Sequence, residues 1–195
     1  TMTVAAALLS GLSTVKETVE HPVLGRYLRQ GMFDELAPTV PLPLAESYEF
    51  ALSVLERFKN PFLHHRWQDI ALNSVSKFKT RCLPPLLNRL RERGEPPALL
   101  TFALAALCAL YYEACSGGKV TVNDNAGVIA FWQKVTAAYG SEKDVRQRAE
   151  GVCRTVLAEK ELWGEDLCSL SGLVEVVSNW LVKIWQYGIE NALVE

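Results

Sequence analysis

The run Ala98–Tyr112 (ALLTFALAALCALYY) restricts what this chain can fold into more than any other stretch. It carries no charge, and its leucines and alanines are strong helix formers. A helix that is apolar on every side has to be surrounded, by lipid or by other protein elements. Its fifteen residues fall short of the ~20 that a bilayer span requires. The run therefore reads as the central helix of a large domain, with other helices packed around it.

The rest of the composition agrees with a substantial core. Hydrophobic residues make up 49% of the 195 positions, well above what a disordered segment carries. Twenty basic and 22 acidic residues are interspersed, for a net charge of -2. Such a balance offers no basic patch, and the expectation is no nucleic-acid partner and no membrane. Five scattered cysteines (Cys82, Cys108, Cys115, Cys153, Cys168), an odd number without a CxxC pair, read as reduced thiols of a cytoplasmic protein. No basic–apolar–small signal segment opens the chain. Its apolar run is under way by Val4 with no cap before it, so the expectation is a continuation of something that precedes Thr1.

Periodicity is helical almost throughout, and strand alternation is nearly absent. Helices are expected over about 2–19, 22–36, 44–58, 62–82, 85–93, 98–115, 125–139, 142–160 and 171–192. Prolines 38, 41 and 43 make the segment before residue 44 extended. Ser141 is the expected cap of the eighth helix. Val120–Val122 is the one candidate extended piece, and Leu173, Val176, Val177, Trp180, Leu181, Ile184 and Tyr187 form a core stripe on the last helix. The fold class is all-α, a bundle of about nine helices in one domain, 1–195.

Chemistry is sparse. No Gly-rich loop follows a strand, so no nucleotide site is visible. His21, His64 and His65 lack metal-ligand spacing; each reads as a packed or solvated histidine. The segment Arg66–Arg81 is more informative. Wound as one helix at 100° per residue, it puts Trp67, Ala71, Val75, Phe78 and Cys82 on one core stripe. Arg66, Asn73, Lys77 and Arg81 then share a neighbouring flank. An amide among three cations suits a polyhydroxy acid anion. A solvated basic face gives the same pattern, and the residues alone leave both open.

Arg57-Phe58-Lys59-Asn60-Pro61-Phe62, then His65, then Ile70-Ala71-Leu72-Asn73-Ser74-Val75-Ser76-Lys77-Phe78 resemble the RF-x-NP and SK-F signatures of the mannitol dehydrogenase family, the long-chain polyol dehydrogenases. Val4–Val15, Leu99–Leu107, Val156–Glu159 and Ser171–Glu175 extend the likeness in order along the whole chain. It runs nearest to the family's tagaturonate reductase (altronate oxidoreductase) branch. The resemblance implies a C-terminal helical substrate domain, similar to the C-terminal domain of 6-phosphogluconate dehydrogenase. Its partner would be an N-terminal Rossmann domain of the same polypeptide, which would hold most of the NAD. The family's catalytic lysine, asparagine and histidine, in a K-x4-N-x2-H pattern, would all lie upstream of Thr1, so no catalytic residue is expected here. By position, the family lysine that binds substrate hydroxyls matches Lys77. An arginine found eight residues earlier in mannitol-oxidising members falls on Asp69, which cannot bind an anion. Asn73 stands where polyol-acting members have an aspartate, and an amide there does not repel a sugar-acid carboxylate.

Lys77, Asn73 and Arg81 are thus the candidate substrate-binding residues, with a sugar acid as substrate. Fructuronate reductase and mannitol-type dehydrogenase are the alternatives within the family; fructuronate reductases carry a DGSQK-like run where this chain has Asn73–Lys77. A non-catalytic helical interaction module is the alternative outside it. The surface expected to meet the partner domain is the apolar face of Val4–Leu12.

Overall fold

Helix α8 (Ala98–Cys115) runs through the centre of the computed structural model, which describes residues 1–60, 62 and 64–194. Every side chain from Leu100 to Tyr112 is buried. The longest neighbour is α12 (Leu173–Val194), and α1 (Val4–Leu9) and α9 (Ala126–Tyr139) pack on other sides of α8. Helix α10 (Val145–Ala158) backs α12. Edge-on aromatic contacts tie the layers together: Tyr27 meets Phe102 at 5.0 Å, and Phe102 meets Trp180 at 5.3 Å between centroids. The expected all-α architecture is the one observed. Among the described residues there is no strand, only an isolated bridge between Thr14 and Arg66.

A helix sunk this deep must still satisfy the N–H groups of its first turn. Pro97 precedes α8 and supplies no capping side chain. The partner comes from elsewhere. After α3 (Pro22–Gln30) the chain widens into a π-helical turn, Gly31–Leu36, which places Glu35 under the start of α8. The Glu35 carboxylate is 7% exposed and accepts from the Leu99 N–H at 2.9 Å and the Leu100 N–H at 2.7 Å. A carboxylate at a helix N-terminus is also favoured by the helix dipole.

Two expected helices are broken. The 2–19 helix becomes α1 and α2 (Val15–Glu20), because Gly11 takes φ +73° and Thr14 opens a new helix. Thr14 and Glu17 form a reciprocal capping box, a local sequence signal that outweighs the apolar run. The 62–82 helix becomes α5 (Trp67–Ile70) and α6 (Ser74–Arg81), interrupted at Asn73. Pro61 of the RF-x-NP signature and residue 63 of that expected helix lie outside the described residues. Helix α4 (Leu44–Lys59) precedes this region, and α7 (Leu83–Arg93) follows it. The expected 85–93 helix starts two residues earlier, at Leu83, so that Pro84 as well as Pro85 sits in the first turn of α7, where no N–H is needed. Ala37–Thr39 forms a 3-10 turn instead of extended chain. Asp144, not Ser141, caps α10 by accepting from the Gln147 N–H. Val120–Val122 pairs into no strand. In α12, Leu173, Val177, Leu181 and Ile184 are buried as the stripe requires, while Tyr187 is exposed just before the kink at Gly188.

The expected apolar docking face is corrected over its first part. Val4, Ala5, Ala6 and Ala7 are buried within this domain, because α1 packs directly on α8, while Leu8, Leu9 and Leu12 are half-buried. The exposed large apolar side chains lie elsewhere, at Val40, Leu42, Leu44, Phe50, Leu52, Phe62 and Leu72 among others.

All five cysteines are unpaired, and burial pushes the thiols of Cys82 up to about 11 and Cys108 up to about 12. Unfolded thiols ionise near pH 9, so the unfolded state loses protons first and stability falls as pH rises from there toward 11. Under reducing conditions the melting temperature is expected to drop across that window; a flat profile would contradict the burial. Glu35→Ala is expected to lower the unfolding free energy by about 2 kcal/mol, through two orphaned N–H groups. Urea denaturation measures it, and a loss below about 0.5 kcal/mol would remove Glu35 from this role.

Candidate functional site

The break at Asn73 shapes the surface where the candidate residues meet. Asn73 is the sole described non-glycine residue with positive φ (φ 54°, ψ 47°). Asparagine tolerates this left-handed conformation better than other side-chain-bearing residues. Its N–H donates to the Asn123 carbonyl at 2.9 Å, and the Ser74 hydroxyl donates to the Ala71 carbonyl at 2.7 Å. These contacts end α5 and restart the helix as α6. Trp67, Ala71, Val75, Phe78 and Cys82 are nevertheless all buried, so the core stripe survives the break.

The structure brings Asn73, Lys77 and Arg81 together and removes Arg66 from the group. From the cap of α6 onward the three follow one another at four-residue intervals along one flank. The Lys77 N–H donates to the Asn73 carbonyl at 3.0 Å. Its half-buried ammonium reaches back to donate to the Ile70 carbonyl at 2.9 Å, which leaves two N–H bonds unused. Arg81 is exposed and donates to the Thr1 hydroxyl at 3.4 Å. Among the described residues neither cation has a carboxylate within 4 Å, whereas Lys16, Lys59, Arg91 and Arg154 each do. Arg66 lies outside any helix with extended backbone, its neighbours paired to the segment around Thr14.

Beside Arg81 opens a cavity of about 610 Å³. Its walls are mostly apolar, from Met32, Phe50, Phe58 and Trp67 among others; its polar edge consists of Thr1, Thr3, His65 and Arg81. Of the three candidates only Arg81 lines it. Lys77 is joined to its wall through Ile70, and Asn73 stands exposed at the head of α6. His65, which the sequence reads as packed or solvated, is exposed and also lines the cavity. His21 is structural: its Nδ1 accepts from the Val23 and Leu24 N–H groups and caps α3.

Sequence reasoning also missed the segment behind α6. Gln68 donates to Thr121, and the Asp124 carboxylate accepts from the Val75 N–H at 3.4 Å and from the Tyr111 hydroxyl. Burial first, and Asp124 second, push the Tyr111 hydroxyl well above its ordinary range, so it stays a donor. The only local signal was Asp124-Asn125 ahead of a helix, which marks a cap of α9 and not a contact with α6. Among the described residues no cluster of three metal-ligating side chains exists.

Over residues 1–185 the sequence matches the family described as mannitol dehydrogenase C-terminal domain. The altronate oxidoreductase of Escherichia coli O1:K1 / APEC is 37% identical over 193 residues, spanning 99% of this chain and 39% of that relative. The altronate oxidoreductase of Escherichia coli O139:H28 (strain E24377A / ETEC) is 36% identical over the same span. The chain therefore covers about two fifths of the length of these curated relatives. Among solved structures, the Pseudomonas fluorescens mannitol 2-dehydrogenase ternary complex with NAD and D-mannitol matches with a TM-score of 0.78. That match covers 99% of this chain and 37% of the other at 19% identity, a likeness of fold.

The left-handed backbone at Asn73 carries its own test. Asn73→Gly is expected to leave stability within a few tenths of a kcal/mol, while Asn73→Ala costs about 1 kcal/mol of conformational strain. Equal stabilities for the two variants in chemical denaturation would mean that position 73 is not held left-handed.

Proposed function

We propose, since this chain belongs to the mannitol dehydrogenase C-terminal domain family, that it is the substrate-side domain of an NAD-dependent tagaturonate reductase. The whole enzyme interconverts D-altronate and D-tagaturonate. The observation that carries this reading is the column Asn73, Lys77, Arg81: an amide followed by two cations that have no carboxylate partner among the described residues, with its Arg81 end at the edge of a large cavity. The identity to altronate oxidoreductases over nearly the full chain favours a sugar acid over a neutral polyol.

In this reading Lys77 holds substrate hydroxyls through its two free N–H bonds, and Arg81 meets the carboxylate. A planar guanidinium is suited to paired contacts with a carboxylate. The Asn73 carboxamide donates or accepts without adding negative charge beside the anion. Binding of this kind orients the carbinol carbon for transfer. When bound, NAD supplies the hydride chemistry. The described residues form no strand, Gly-rich turn and helix, so they do not fit a dinucleotide cradle of that type. NAD binding is therefore assigned to an N-terminal Rossmann domain of the same polypeptide, together with the family's lysine, asparagine and histidine. The length of the relatives leaves room for both. Five unpaired thiols fit a cytoplasmic enzyme.

Lys77→Ala in the full-length enzyme is expected to reduce kcat/KM by about 2–4 kcal/mol, the worth of a charge-assisted contact. Steady-state kinetics with tagaturonate and NADH measures it, and fructuronate run in parallel decides between the two uronate reductases. The isolated 195-residue chain is expected to show no turnover. Wild-type kinetics for Lys77→Ala, or turnover by the isolated chain, would defeat the reading.

A further inference from the structure

An asparagine at a helix N-cap ordinarily turns its own side chain back onto the N–H of the second or third helical residue. Asn73 does not. It makes no side-chain capping bond, and its left-handed backbone holds it out from α6. The N–H group left for a substitute is that of Val75, which donates to Asp124 Oδ2 at 3.4 Å. Asp124 comes from the segment before α9, 49 residues further along the chain. The same oxygen accepts from the hydroxyl of Tyr111, a fully buried side chain of the central helix, and Oδ1 accepts from the Asn125 N–H at 2.8 Å. Two further ties fix the segment: the Asn73 N–H on the Asn123 carbonyl at 2.9 Å, and Gln68 on the Thr121 hydroxyl at 3.0 Å. The capping place at α6 is thus filled from outside, and the Asn73 carboxamide stays exposed at the head of the column that continues with Lys77 and Arg81.

We propose that Asp124, anchored by Tyr111, is a positioning residue: by occupying the cap of α6 it keeps the Asn73 carboxamide free to bind the sugar-acid substrate. This inference rests on the reading of the α6 column as substrate-binding. The left-handed backbone of Asn73 is tied to Asn123, the neighbour of Asp124. Without the Asp124 carboxylate that segment loses its anchor, Asn73 relaxes to the extended backbone of an ordinary cap, and its side chain reaches the N–H of Val75. Asn73 then caps its own helix and is lost to the substrate. The helix remains capped, so the effect falls on substrate binding more than on folding.

The test is a double-mutant cycle in the full-length enzyme, with Asn73→Gly chosen because glycine keeps the left-handed backbone. Asn73→Gly and Asp124→Ala are each expected to raise the KM for the sugar acid about tenfold while the KM for NADH stays within about twofold. The double variant is expected to be no worse than either single one, since both remove the same contact. Asp124→Asn, which retains an acceptor for Val75 and Tyr111, is expected to restore the KM to within about threefold of wild type. Multiplicative effects, or an unchanged KM in Asp124→Ala, overturn the proposal. If Asn73→Gly itself leaves the KM unchanged, the substrate-side reading of α6 fails and takes this inference with it. If only Asn73→Gly has an effect, the positioning role alone fails. Should Asp124→Ala not fold, Tyr111→Phe removes only the anchoring hydroxyl and is expected to raise the same KM about threefold; a wild-type value there is equally decisive against the proposal.

Discussion

Everything in this domain is arranged around one requirement: a helix that is apolar all round has to be buried all round, including its polar end. The hydrophobic effect drives α8 inward, where each fully buried large apolar side chain contributes about 1.5–3 kcal/mol. Burial then closes over the first turn from Leu99 to Leu100, and their N–H groups need a partner from the protein. Glu35 meets them from 64 residues away, on a turn of π-helix that swings it under Leu99 and Leu100. The same junction gathers Tyr27, whose hydroxyl donates to the carbonyls of Met2 and Leu99 and so ties α1 to the start of α8. The first residues of the chain are thereby placed next to α6 and the cavity.

The candidate site arises through an interruption in the helix that precedes α7. A continuous helix from Trp67 to Arg81 would bury the same stripe, but its cap would sit elsewhere. Breaking it at Asn73 costs a residue in a disfavoured backbone conformation. In return the chain acquires a helix start at the surface, with Asn73, Lys77 and Arg81 in line. The interruption is held by long-range contacts to Asn123 and Asp124, which are themselves fastened to the central helix through Tyr111. Site geometry and core packing are therefore linked by a few hydrogen bonds.

Much of this was legible in the chain, for reasons that differ from element to element. The core stripes Trp67–Cys82 and Leu173–Ile184 were readable because burial selects for apolarity at helical spacing, whether or not the helix is continuous. The likeness carried by Arg57–Phe78 led to the family, and residues 1–185 match it. The break at Gly11 was signalled by Thr14 and Glu17, a capping box overlooked beneath a strong apolar run. The break at Asn73 had no comparable local mark, since the asparagine does not cap and its partners lie some fifty residues away. The apolar face of α1 was assigned to a partner domain because periodicity reports that a face is buried and not what buries it.

Local chemistry, then, determined what this sequence settles alone: helix formation, the identity of the central helix, the inward faces, and the residue types along the flank of Asn73, Lys77 and Arg81. These depend on near neighbours in the chain, on propensity and on three-to-four-residue spacing. Tertiary structure decided which orphaned backbone groups are satisfied and by whom. It set Glu35 under α8 and Asp124 at α6, took Arg66 out of the helix that carries the column, and left Arg81 at the cavity edge. Those outcomes turn on hydrogen bonds between segments far apart in sequence, which exist only after the apolar core has brought them together.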